Sequence, residues 1–553
     1  MNSLLSPDVP RAEDSPGRAR HRATAEEATV AALLRCCLRE IAGPRGEVWD
    51  GPPYTFLRLA GTLIRARVRG GMALRFAEPP AWLEDGAWRP LTSALLVRLV
   101  QAGLSKNDDG NDEFGGQVAA SRDAITRILA ARERAAPPAG PWLASEQALT
   151  IGHPFHPSPK ARDATGWLRY APEAHATFPL RLLGVRHDVL LSGGDTTALD
   201  KLDAGAATPP GYTLLPAHPW QLDLLAADLA APLADGRLVD LGHGSRPVVP
   251  TSSVRTVHEP VSGMCLKFSL DVRITNCVRK NAWYELEGAV ALSERLEPVF
   301  GALATRFPGT GWLPEPGFRS AALGTRLLEG LGVILRASPS PTALLAAALA
   351  AATALPAMVA ERQAAEPVRW WAAYVRHVAL PALDAFCAHG VVLEAHLQNV
   401  LVKTAPDGMP SGAVFRDLEG AKLVAGRHDL AGVPGPVAGA LTYTADQGWN
   451  RVAYCLLVNH LPEIAATIAG RAGDDGDRLL AELWGVAWDE LAAYARSREW
   501  PARMRDLLSG VPLPAKANLS VRWSRAADRA AGYVPVANPL AGRDGDGIME
   551  VAG

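Results

Sequence analysis

Cysteine is scarce and scattered: six in 553 residues (Cys36, Cys37, Cys265, Cys277, Cys387, Cys455), with no C-x-x-C spacing. That argues against a zinc ribbon and a disulfide framework, and for a reducing compartment. An excess of charge of one sign is also missing. Fifty-six Lys and Arg stand against 58 Asp and Glu, a net charge of −2. Such a balance makes no surface for coating nucleic acid, although cations can still gather locally. Long apolar runs are lacking too. The longest, Ala343–Leu355, is Ala-rich and stopped by Pro356. It is too short to span a bilayer and reads as a buried helix capped by Thr342. Residues 1–25 hold no apolar core of signal-peptide length and read as a disordered leader. A cytoplasmic protein is expected, with no nucleic-acid and no membrane partner; a homodimer is left open.

What is present is a soluble globular composition, 48% hydrophobic and 21% charged. The chain is too long for a single core, so three or four domains are expected. Helical spacing covers 25–41, 91–103 and 118–136, with short strands at 54–60, 63–68 and 74–76. Residues 107–116, NDDGNDEFGG, lack the closing Glu of a calcium loop and read as a solvated loop. Pro137–Trp142 is a Pro/Gly hinge. Further on, 220–230, 283–300, 321–335, 368–389 and 448–469 read as helices.

The stretch from Pro250 to Asn281 organises the rest. Cys265, Lys267, Ser269, Asp271 and Arg273 alternate with Met264, Leu266, Phe268, Leu270 and Val272, the period of a half-buried strand. Thr251, Ser253 and Arg255 share a face in the same way, and Pro260 and Gly263 suit a hairpin turn. Ser253, Arg255 and Lys267, with Arg279 beyond, make either a wet sheet face or the floor of a polyanion site.

Two other stretches carry chemistry. GHPFHPSPKAR (152–162) packs His153, His156, Lys160 and Arg162 between prolines. It suits a carboxylate cradle; the alternative is a surface loop whose histidines cap the backbone. A zinc site is disfavoured by the neighbouring cations. In VVLEAHLQNVLVK (391–403), Glu394, His396 and Gln398 alternate with apolar residues and Asn399 follows; VFRDLEG (414–420) brings Asp417. A hairpin would join them, and Asn399 with Asp417 suits Mg2+ bound to phosphates. A kinase would need an acid just after His396, where Leu397 and Gln398 stand, so an ATP user other than a kinase fits better. Glu394 and His396 could equally be a buried hydrogen-bonded pair.

Taken in order, GHPFHPSPKAR, PTSSVRT, KFSLDVRITNCVRK, EAHLQN and FRDLEG resemble the IucA/IucC family, the NRPS-independent siderophore (NIS) synthetases. AHPWQ (217–221), LPAKANLSVRW (513–523) and YVPVANPL (533–540) share that texture. The resemblance implies an α+β, hand-like architecture with an antiparallel sheet in the fingers and a helical palm. The units would be a thumb at 26–140, fingers at 141–330 and palm at 331–553. It implies an ATP-dependent ligase that adenylates a carboxylate of citrate or a related acid and passes the acyl group to an amine or hydroxyl. By position, Ser253, Arg255, Thr256 and Lys267 would contact phosphates. His156, Arg279 and Thr275 would hold the acid, with Lys160, Arg162 and Lys516 as further contacts. Glu394, His396, Gln398, Asn399 and Asp417 would serve the nucleotide, Asn399 and Asp417 through Mg2+. Arg279, His396 and Lys267 would be the catalytic groups. The rivals are a kinase-like phosphotransferase and a citrate- or siderophore-binding protein. The sequence departs from the family after Lys160, where the loop to Gly166-Trp167 is two residues longer.

Overall fold

The computed structural model describes residues 16–105, 110–162, 166–202, 208–274, 277–526 and 532–541. Its architecture is α+β. A five-stranded meander (Val48–Gly51, Tyr54–Leu59, Thr62–Ala66, Ala81–Glu84, Ala87–Pro90) lies with the helices Pro16–Cys36, Ser93–Leu104 and Glu113–Arg132. Leu57, Leu59 and Ile64 pack with Leu33, Leu96 and Val118 in its core. The first helix starts at Pro16 and buries His21 and Ala25, which corrects the expectation of a disordered leader for 16–25. Arg20 reaches Glu133 at 2.7 Å, so a segment that looked merely polar has a partner helix; 1–15 lie outside the described residues.

The centre is an eight-stranded antiparallel sheet. Its order is Tyr212–Ala217, Phe178–Arg186, Leu238–Pro250, Thr256–Glu259, Met264–Phe268, Val333–Ala337, Gly317–Ala321 and Leu190–Gly194. The hairpin exists, but its first strand is Thr256–Glu259, paired Thr256↔Lys267 and Val257↔Leu266. Thr251–Arg255 is a loop instead of a strand. The stretch 321–335, expected to be helical, is two strands around a short helix, Thr325–Gly330. Gly317–Ala321 is buried at every position. A strand covered on both faces shows no alternation and cannot be told from a buried helix by period.

The last third is helical, with Pro367–Tyr374 and Leu380–Cys387, then Ala445–Val452 and Leu461–Gly470, each pair joined through a π-turn, and Gly476–Ser497. Ala445–Gly470 is long and apolar enough to cross a membrane, but its apolar window is buried inside the protein. Trp370, Trp371 and Tyr374 stack beside Trp484 within that core. The expected Ala343–Leu355 helix is a strand pair, Leu344–Leu345, and one helical turn, Ala346–Ala350, with no cap from Thr342. The β-bridge to Leu401 and Val402 wins over alanine's helix propensity there. The strands Val400–Thr404 and Pro410–Phe415 pair antiparallel, Val400↔Phe415, so the expected hairpin brings Asn399 beside Asp417.

Candidate functional site

The two faces of the central hairpin are both covered. Lys267 is 1% exposed and Arg255 4%, so this is not a wet sheet face. Lys267 Nζ lies 2.7 Å from Asp417 Oδ1 and 3.1 Å from Glu419 Oε2. Arg255 is paired with Glu419 and donates to Asn281 Oδ1 at 2.8 Å. Arg336 donates from Nε to Glu315 at 2.8 Å and reaches Asp417 Oδ1 at 3.1 Å. Three cations, Lys267 and Arg336 from adjacent strands and Arg255 from the loop before the hairpin, thus face three carboxylates. Burial alone would lower the Lys267 ammonium, but Asp417, Glu315 and Glu419 outweigh it and hold it above the ordinary lysine value. Burial would likewise raise Asp417, yet Lys267, Arg336 and Arg255 hold it well below the carboxylate range. Glu419 is brought to about 2 against its burial, by Arg255 and Lys267.

The loop before the hairpin is tight. Val254 has φ +68°, and the Arg255 N–H donates across it to the Ser253 carbonyl at 2.8 Å. This is a γ-turn of the rarer, strained hand. Ser253 Oγ accepts from the Thr256 N–H at 3.1 Å. A buried acid supports the loop: Glu146 accepts from the Ser252 N–H at 3.1 Å, from Trp142 at 3.0 Å and from Arg416 at 2.5 Å. Arg416 and Gln398 both reach Ser252. Asp417 itself has φ +74°, strain of the kind that concentrates at functional sites.

Four histidines repeat one device. The Nδ1 atoms of His153, His156, His218 and His396 accept from the N–H two residues on, at Phe155, Ser158, Trp220 and Gln398, at 3.0–3.2 Å. This is an Asx-like turn. It leaves the proton on Nε2, so each neutral ring projects one donor. His153, lowered to about 3 chiefly by burial and then by its neighbours His156, His396, Arg39 and Lys516, stays neutral. His396 is lowered by burial, against the pull of Glu394 and Asp417. The capping reading of the His-Pro loop therefore holds, but the loop is buried: His156 is 3% exposed.

His153 feels the charges of His156, His396 and Lys516, and His396 those of Glu394, Asp417, Arg451 and Arg279, so these groups lie within electrostatic reach of one another. Lys160 differs: its ammonium is locked to buried Glu173 and its N–H donates to Ser121 Oγ at 2.9 Å. This buried pair ties the loop to the 3-10 turn that carries Glu173 and is costly to break. Arg162 donates to the Ala161 carbonyl at 3.0 Å. Thr275 and the longer tip at 163–165 lie outside the described residues. Glu394, expected at the nucleotide, is paired with Arg451 at 2.6 Å and lines a small cavity with Asn399 and Asp417.

Among the described residues no group of three His, Cys, Asp or Glu is arranged as a metal cage. Mg2+ needs none, because it commonly takes one or two carboxylates and the substrate's phosphates. Asp417 and Glu419 supply those, and Asn399, 5% exposed, has an amide nitrogen with no partner among the described residues. Rotating that amide presents its oxygen instead, so the donor set fits a hard cation. Sequence reasoning missed Glu419 although it stands in the same FRDLEG run. Arg336 stands one residue beyond the stretch 321–335 read as a helix, Glu315 lies outside the segments read as helix or strand, and Glu146 carries no local signal at all.

Residues 141–357 match the IucA / IucC family, and 368–531 match the ferric iron reductase FhuF-like transporter family. The L-2,3-diaminopropanoate–citrate ligase of Staphylococcus aureus (strain NCTC 8325 / PS 47) is 32% identical over 445 residues, 72% of this chain and 74% of that protein. The rhizobactin siderophore biosynthesis protein RhbC of Rhizobium meliloti (strain 1021) is 33% identical over 454 residues, 72% and 77%. The ATP-bound aerobactin synthetase IucA of a hypervirulent Klebsiella pneumoniae pathotype has the same fold, with TM-score 0.80 at 23% identity over 94% of this chain and 100% of that one.

Proposed function

The chain belongs to the IucA/IucC family of NRPS-independent siderophore synthetases, and on that premise we propose how its buried cleft works. The protein is an ATP-dependent ligase that joins a carboxylate of citrate or a related acid to an amine or hydroxyl nucleophile. A carboxylate oxygen attacks the α-phosphorus, an O–P bond forms, and the bond to pyrophosphate breaks. The nucleophile then attacks the acyl carbon, AMP leaves, and the attacking atom loses its proton to solvent. The hand-like division into thumb, fingers and palm at 26–140, 141–330 and 331–553 is part of this proposal.

One observation carries the assignment of roles: the neutral cluster of Lys267, Arg255 and Arg336 against Asp417, Glu419 and Glu315. A bound triphosphate offers new partners to the cations, and Mg2+ offers one to the acids. The exchange leaves no buried charge unpaired, which would otherwise be expensive. Mg2+, held by Asp417 and Glu419 with Asn399, would offset charge on the phosphates. Ser253, Arg255, Thr256 and Lys267 hold the phosphates, with Gln398 bracing the loop. His156, Arg279 and Lys516 hold the acid. His396, neutral with its proton on Nε2, donates between the two substrates. Preplaced donors of this kind are typically each worth about 2.7–4 kcal/mol in the transition state, and holding two substrates together supplies much of the rest.

The test is the product formed from ATP with a panel of polycarboxylic acids and amines, read by mass spectrometry. AMP, pyrophosphate and an amide or ester support the reading. ADP supports a kinase, and no turnover with any pair supports a binding protein.

A further inference from the structure

Behind the turn that carries His396, the core holds two polar side chains that no step above uses. Tyr374 ends the helix Pro367–Tyr374, and His460 stands just before the helix Leu461–Gly470. Both are fully buried. The Tyr374 hydroxyl meets His460 Nε2 at 2.5 Å, and His460 Nδ1 meets the Ala395 carbonyl at 2.7 Å. A carbonyl oxygen can only accept, so the proton is on Nδ1, and Nε2 accepts from the Tyr374 O–H. This is the opposite tautomer to that of His153, His156, His218 and His396. Burial lowers His460 to about 4, so the ring stays neutral. Trp370 and Trp371 stack on Tyr374 at 5.2 and 6.0 Å and fix its ring. The peptide between Ala395 and His396 is thereby held at both ends: its carbonyl by His460, and its N–H by the Glu394 carbonyl at 2.8 Å. A Phe and Leu pair would fill the same space with no polar atoms to satisfy. What the polar pair adds is a fixed direction for one peptide.

We infer that Tyr374 and His460 are positioning residues for the reaction: through the 395–396 peptide they set the direction in which His396 presents its Nε2–H to the substrates. This inference rests on the ligase reading above, in which His396 donates between acid and nucleotide. With no exposed surface, neither residue touches a substrate itself. The coupling runs through bonds already described. A peptide released at its carbonyl can tilt, and the imidazole tilts with it, because its Nδ1 is tied to the Gln398 N–H on the same turn at 3.2 Å. The donor then points away from the oxygen it serves, and a hydrogen bond weakens steeply with angle.

The experiment is acid-dependent ATP–pyrophosphate exchange with radiolabelled pyrophosphate, in the wild type, His460→Leu, His460→Asn, Tyr374→Phe, His396→Ala, and His396→Ala combined with His460→Leu. His460→Leu should lose about a hundredfold in maximal rate, the scale of a misplaced reacting group, with the KM values for ATP and acid held within about twofold. Asparagine Nδ2 stands where histidine Nδ1 stands, so His460→Asn keeps the donor to Ala395 and should recover most of the loss. Tyr374→Phe removes one oxygen and should fall between the wild type and His460→Leu. In His396→Ala the positioned donor is gone, so adding His460→Leu should cost nothing further. Three results overturn the inference: His460→Leu at the wild-type rate, His460→Asn no better than His460→Leu, or single losses that multiply in the combined variant. The last is what a merely structural role would give. If His460→Leu loses its cooperative unfolding transition, Tyr374→Phe decides: a loss in the wild-type background and none in His396→Ala supports the inference, and equal losses overturn it. Exchange in the wild type with unaffected variants sinks the inference alone, whereas no exchange with any acid removes the ligase reading and the inference with it.

Discussion

Lys267 and Arg279 differ in how firmly the fold holds them, and their variants should differ accordingly. Lys267 is buried against two carboxylates at 2.7 and 3.1 Å. Lys267→Gln should lower kcat/KM for ATP about a hundredfold, the scale of one lost transition-state donor. It should also destabilise the protein by about 3–5 kcal/mol, because Asp417 and Glu419 keep their charge and lose a partner. Steady-state kinetics with urea unfolding reads both, and an unchanged midpoint would show that the ion cluster is not what holds this site. Asp417→Asn should raise the ATP KM and the Mg2+ concentration needed for half-maximal rate; a metal titration checks it.

The elements teach which parts of the sequence could be read. The second strand of the hairpin, at 264–268, was legible because polar and apolar residues alternate there, whereas its first strand was expected at 251–255 and lies at 256–259. Its neighbours at 317–321 and 333–337 were not, because burial on both faces erases alternation. That is why Arg336 and Glu315 went unnoticed while Lys267 stood out. Asn399 and Asp417 were legible as a pair because a short hairpin connects them. The pairing of Lys160 could not be read, because Glu173, its buried partner, lies thirteen residues on in a different turn. Glu146 shows the limit: a single acid in a short helix, it supports the Ser252 loop and Arg416 together. Gly420 is closely packed: a Cβ there would stand 2.5 Å from the Glu394 carboxylate, which would have to shift. Gly420→Ala would push the turn away from Glu394 and should lower acyl transfer at least tenfold; rapid-quench measurement of product formation reads it.

At the scale of the whole molecule, the N-terminal and C-terminal parts are tied through ionisable groups. Glu40 accepts from the Leu519 and Ser520 N–H groups at 3.0 and 2.9 Å. Burial nevertheless raises it from 4.5 to about 7, against those hydrogen bonds. A carboxyl raised on folding holds its proton in the native state over a range where the unfolded chain has released it. Its contribution to stability therefore falls as pH rises from about 4.5 towards 7. Glu285, raised to about 7 by burial and then by Glu419, acts in the same direction. In Glu40→Gln the unfolding free energy should lose part of its decline between pH 5 and 8, measured by urea denaturation. An identical slope in the variant would contradict this origin. Leu519 packs in the core of the N-terminal unit, so local damage there should be felt by both halves of the chain.

The central claim is that one cleft activates a carboxylate on ATP, with Arg279 holding the acid. The most direct measurement is acid-dependent ATP–pyrophosphate exchange with no amine or alcohol present, in the wild type and in Arg279→Ala. The wild type should exchange label with citrate or a related polycarboxylic acid, and Arg279→Ala should lose at least a hundredfold of that rate while still binding ATP. Exchange that needs no acid, or an Arg279→Ala variant that exchanges at the wild-type rate, would contradict it.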